Sequence, residues 1–92
     1  MATHILIVED EPEIRELLNF SLTRAGFRVT EAESGESALQ QLFNQRPDLV
    51  IVDWMLPGMS GVDLAERMRR DEVTSSLPLM MLTARNDEAD VL

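Results

Sequence analysis

Glu9, Asp10, Asp53 and Thr83 are the residues of this chain whose types and positions could do chemistry together. Asp53 closes an apolar run, Leu49 to Val52, and a Pro57-Gly58 turn follows shortly after it. A run of that kind, without alternation, predicts a strand buried on both faces, as in a parallel sheet covered by helices. Ligands of open α/β sheets bind beyond the carboxyl ends of the strands, so an acid at that point is well placed to act. Glu9 and Asp10 follow a second such run, and Thr83 follows a third. Carboxylates brought together raise one another's pKa, and a divalent cation relieves the conflict. Hard oxygen donors, with no Cys and a single His in the chain, favour Mg²⁺. A carboxylate held beside Mg²⁺ and backed by a hydroxyl is suited to accept a phosphoryl group, with Asp53 attacking in line and Thr83 donating to the product. Each residue also has a plainer reading. Asp and Thr are common where strands give way to loops, and Glu9, Asp10 and Glu11 would suit a solvated acidic first helical turn.

The elements that must position these groups are legible in outline. His4 to Val8 predicts the first strand, with His4 as an exposed starting residue. Pro12 fits a helix start, and Ile14, Leu17, Leu18, Leu22 and Ala25 form the inward stripe of a helix that Gly26 ends. Arg15, Glu16, Asn19 and Arg24 take its opposite face. Phe27 to Glu31 alternates and predicts an edge strand. Ser34-Gly35 opens a second helix with Ala38, Leu39, Leu42 and Phe43 inward. The central strand follows Pro47-Asp48, and Trp54 beside its end predicts a packing residue. Ser60-Gly61 opens a third helix with Val62, Leu64, Ala65 and Met68 inward and Arg67, Arg69 and Arg70 at its end. Leu77 to Leu82 predicts a fourth strand, with Met80 and Met81 as core filler. Asn86-Asp87-Glu88 would then cap a fourth helix begun by Ala89 to Leu92. Strands alternating with helices imply a parallel sheet, here in the order 2-1-3-4, with the first and third strands adjacent at the switch point.

With 92 residues and 45% hydrophobic content, the chain suffices for one core and one domain, residues 1–92. Eight Lys and Arg against seventeen Asp and Glu give a net charge of −9, which repels phosphate backbones and argues against nucleic-acid binding through this chain. The absence of cysteine, of a leader and of any apolar run near ~20 residues makes a cytoplasmic protein with no membrane association the expectation.

Taken together, Ile5–Leu18, Pro47–Arg70 and Leu77–Arg85 closely resemble the receiver domain of two-component response regulators, and within that family the winged-helix transcriptional activators of the phosphate-regulon kind. The resemblance implies a flavodoxin-like doubly wound fold. It also implies that Asp53 is the phosphoacceptor for a sensor histidine kinase, in a signalling domain that is not a turnover enzyme and that controls a DNA-binding output domain. It further implies Mg²⁺ ligation by Asp10, Asp53 and the backbone carbonyl of Met55, with Glu9 nearby through water. Thr83 corresponds to the family's switch hydroxyl, and Ala84 to the small residue beside the phosphoryl group. The family continues into a fifth strand ending in Lys-Pro and a last helix, which residues up to Leu92 do not match. The domain is therefore expected to be incomplete at its C-terminal side, with the fourth strand an exposed edge open to self-association or to completion by a partner.

Other classes fit less well. A phosphohydrolase of this design would want an acid two residues after the nucleophile, where Met55 stands. A flavin or nucleotide site would want Gly, Ser or Thr where Glu9 to Glu13 are acidic. An inactive or partner-completed interaction module is the remaining alternative.

Overall fold

Five consecutive apolar or buried residues cannot sit at a sheet edge without exposing one face, and His4–Val8 (β1) accordingly lies inside the sheet with all five residues buried. The computed structural model describes residues 2–83 and 88–91. After β1 come α1 (Pro12–Arg24), β2 (Arg28–Ala32), α2 (Gly35–Asn44), β3 (Leu49–Asp53), α3 (Gly61–Arg70), β4 (Leu79–Thr83) and β5 (Glu88–Val91). The sheet order is β2-β1-β3-β4-β5, with the first four strands parallel, as expected.

Alternate side chains of the strands supply two cores. Leu6, Val8, Val50, Val52, Leu79 and Met81 meet Ala38 and Leu42 of α2 and Leu64, Ala65 and Met68 of α3 on one face. Ile5, Ile7 and Ile51 meet Leu18 and Leu22 of α1 on the other, with Leu49, Met80 and Leu82 partly buried beside them. That second face has α1 as its one described helix, and no residue of α1 is fully buried.

The helix ends follow from local chemistry. Pro12 occupies the first turn of α1, and Gly26 follows its end with φ +100°, a backbone region that residues with a Cβ seldom enter. Ser34 caps α2 by accepting the Ser37 N–H at 3.0 Å. Ser60 and Asp63 form a reciprocal capping box at the start of α3.

Several expectations are corrected. The segment after β4 does not begin a helix at Ala89. Instead Glu88–Val91 returns antiparallel, pairing Met80 with Val91 and Thr83 with Glu88. Pairing there satisfies the outer N–H and C=O groups of β4, which a single helical turn would leave open. The exposed β4 edge expected to invite association is thus occupied by the chain itself. Asn86 and Asp87, the expected caps, lie outside the described residues.

His4 is only 4% exposed, because β2 and β3 flank it, its N–H donates to Asp48 Oδ2 at 2.8 Å, and its Nε2 meets Thr30 Oγ1 at 2.9 Å. Trp54 is exposed rather than packed, as are Leu17, Phe43 and Val62, which helical spacing assigned to inward stripes. A helix touches a sheet along a narrow line, so residues at the margin of its apolar stripe remain in solvent.

Candidate functional site

The carboxyl ends of β1 and β3 deliver three acids to one point. Val8 pairs with Val52 across the two strands, so the residues that follow emerge side by side. Glu9, Asp10 and Asp53 each offer a carboxylate oxygen lying within 4.8 Å of the others. Glu9 and Asp53 are buried, at 1% and 6% exposure, and Asp10 is half-buried.

Glu9 is held at each of its polar groups. Its N–H donates to Ala32 O at 3.0 Å, its Oε2 accepts the Glu11 N–H at 3.1 Å, and its carbonyl accepts Arg15 Nη1 at 2.9 Å. Burial pushes its carboxyl up to about 7; the Glu11 N–H opposes this, and the Asp53 and Asp10 carboxyls add to it. Negative charge is therefore crowded at this point beyond what the protein alone neutralises. A hard divalent cation fits such a donor set of three carboxylates, two of them removed from bulk water.

Asp53 is the last residue of β3, and its Oδ1 accepts the Met55 N–H at 3.1 Å. Trp54 N–H donates to Leu82 O at 2.8 Å and its carbonyl accepts the Gly61 N–H at 3.1 Å, tying the loop after β3 to β4 and to the start of α3. Gly61 is required there: a Cβ would lie 2.5 Å from Asp53 O. Its role as a site of close approach, like that of Arg15 as a clamp on Glu9, was not legible beforehand. Spacing had assigned Gly61 to a helix start and Arg15 to a polar face.

Of the remaining expected residues, Met55 stands beside the acids through its backbone. Thr83 ends β4, one position beyond Leu82, the partner of Asp53. Ala84 lies outside the described residues. No helix among the described residues is long and apolar enough to cross a membrane.

Comparison with known proteins identifies the family of the chain. The model of the response regulator receiver domain matches residues 5–92. The phosphate regulon transcriptional regulatory protein PhoB of Escherichia coli is 48% identical over 90 residues, covering 98% of this chain and 39% of its own. The transcriptional regulatory protein AfsQ1 of Streptomyces coelicolor is 50% identical over 88 residues, covering 96% of this chain and 38% of its own. The chain thus spans about two fifths of the length of these curated relatives.

Among solved structures, the N-terminal domain of a response regulator receiver protein from Methanoculleus marisnigri superposes with a TM-score of 0.86 at 41% identity, over 88% of this chain and 66% of that one. Response regulator protein TrrA of Thermotoga maritima, solved in complex with Mg²⁺-BeF, gives 0.73 at 44% identity, over 76% of this chain and 61% of that one. Sequence and structural matches both span most of the chain, and the chain belongs to the response regulator receiver domain family.

Proposed function

We propose that this chain is the phosphoaccepting part of a two-component signalling protein, and that Asp53 takes a phosphoryl group from a sensor histidine kinase. The observation carrying the reading is the meeting of Glu9, Asp10 and Asp53 within 4.8 Å at the carboxyl edge of the sheet. Asp53 Oδ1 receives the Met55 N–H, which orients the carboxyl group and leaves Oδ2 as the attacking oxygen. Attack on phosphorus forms the P–O bond as the P–N bond of the phosphohistidine breaks. The imidazole leaves with the electron pair and takes a proton from solvent.

Asp10, Asp53 and the Met55 carbonyl are the groups we assign to Mg²⁺, with Glu9 acting through water. When bound, the ion would offset the charge of the carboxylates and of the transferring phosphoryl oxygens. The Mg²⁺-BeF complex of the Thermotoga relative supports this assignment. Thr83 is assigned the hydroxyl that answers the new phosphoryl group, and Ala84 the small residue that leaves room for it.

Residues 1–92 represent the receiver portion, with the family match running over residues 5–92. The longer relatives are named as transcriptional regulators, which supports a DNA-binding output domain acting outside this chain. The chain's own charge of −9 is unsuited to nucleic acid. We place the domain in the cytoplasm, where such kinases present their phosphohistidine. Met55, standing where a hydrolase would carry its second acid, favours a single acceptance over turnover.

Incubation with acetyl phosphate and Mg²⁺, followed by intact mass measurement, tests the reading. One added phosphoryl group on the wild type and none on Asp53→Asn is the expected result. Equal labelling of both proteins would remove Asp53 from the role.

A further inference from the structure

We infer that Arg15 is a positioning residue for the cation site, holding the loop that carries Asp10; this rests on the metal-site reading above. Arg15 bonds to the carbonyls on both sides of Asp10. Its backbone N–H donates to Glu11 O at 3.0 Å, and its side-chain Nη1 donates to Glu9 O at 2.9 Å. The Asp10 carboxyl lies against that of Glu9, and the carbonyls of the residues on either side of Asp10 are the ones Arg15 holds.

The guanidinium is itself anchored. Arg15 Nε lies 3.4 Å from Glu31 Oε1, and Glu31 Oε2 accepts Asn19 Nδ2 at 2.7 Å, so α1 and the end of β2 fix the clamp from the far side. The arginine side chain is only 18% exposed, which limits the alternatives open to it. Groups that orient metal ligands without touching the metal commonly control affinity as strongly as weak ligands do.

Charge and position make opposite predictions for this residue. Arg15 is a cation close to a cation site, so on electrostatics alone its removal would tighten Mg²⁺ binding. If its bond to the Glu9 carbonyl holds Asp10 in place, removal weakens binding instead.

The test is calorimetric titration of MgCl₂ into wild type, Arg15→Gln and Arg15→Lys. Gln, Lys and Arg have nearly equal helix propensity, so α1 is preserved in each. Far-UV circular dichroism and urea unfolding of each protein check that it is. Gln is uncharged and too short to reach both Glu9 and Glu31, whereas Lys retains a charged donor of similar reach.

The expected result is roughly tenfold weaker Mg²⁺ binding in Arg15→Gln, with most of the loss restored in Arg15→Lys. Unchanged or tighter binding in a folded Arg15→Gln, beside a normal wild-type titration, overturns the inference and leaves the site reading standing. Weakening by the same factor in both variants also overturns it, since a retained donor should rescue. Absence of Mg²⁺ binding by the wild type overturns the site reading and this inference together.

Discussion

Among the described residues the fold biases the protonation of Glu9 and His4, and they act in opposite pH directions. The Glu9 carboxyl is raised from 4.5 to about 7, chiefly by burial, so the folded state binds its proton more tightly than the unfolded chain. Its contribution to stability is complete below about 4.5 and is lost as pH rises through about 7. At roughly 1.4 kcal/mol per pH unit, the loss is at most about 3–4 kcal/mol. Metal-free protein should therefore unfold at lower urea at pH 8 than at pH 5.5, and Glu9→Gln should flatten that dependence. Mg²⁺ should restore stability most at the alkaline end, where the carboxylates it binds are ionised. His4 is pushed below its usual 6.5, first by burial and then by the Arg28 charge, against the Arg46 carbonyl and Asp48. Its contribution is lost as pH falls below about 6.5, because the unfolded chain then binds the extra proton. A urea series from pH 7 to pH 5.5 should show His4→Gln losing less stability than wild type over that interval.

Elements hold the site through their ends. The start of α3 abuts the end of β3, where Gly61 admits the Asp53 carbonyl. Gly61→Ala forces a Cβ into that contact and should destabilise the domain by about 1–3 kcal/mol. It should also blunt the response of Trp54 fluorescence to Mg²⁺, because the loop after Asp53 is displaced. Ser60→Ala removes the capping box from the same helix and should cost about 1 kcal/mol in urea unfolding. Unlike Gly61→Ala, it should leave the Mg²⁺ affinity near the wild-type value, since the Ser60 hydroxyl bonds the Asp63 N–H within α3 and none of the acids of the site. The comparison separates loss of helix stability from loss of site geometry. The start of α3 was plain at Ser60-Gly61, since a cap depends on neighbours in the chain. The pairing of β5 with β4 was not, since it depends on an edge that exists only after the sheet has formed.

At the scale of the whole molecule, a domain of this size is stable by about 5–14 kcal/mol, so single core losses matter. Leu64 is fully buried in the core on the α2 and α3 face. Leu64→Ala should remove about 2–5 kcal/mol, a large share of that total, and lower the urea midpoint accordingly. The α1 face is the thinner one. Ile51 is buried there, while Met80 and Leu82 are only partly covered, and Leu17 and Phe20 of α1 face solvent. Charge is distributed unevenly as well. The net −9 is concentrated in part at the carboxyl edge, where Glu9, Asp10, Glu11 and Asp53 lie, and that edge suits a cation.

The sequence by itself determined the strand and helix order from β1 to β4, the two-sided burial of β1 and β3, and the placing of acids where those strands end. These follow from runs, spacings and caps that act between residues near in the chain. It also carried the resemblance to receiver domains, because three separate motifs fall in register over nearly its whole length. Only the tertiary structure decided that Glu9 is buried with a raised pKa, that Arg15 reaches back to bond the Glu9 carbonyl, that Gly61 must lack a Cβ, and that His4 is covered. Each of those depends on the distance between segments remote in sequence or separated by a turn. Residue type and spacing do not encode that distance; it is set when helices and strands pack against one another.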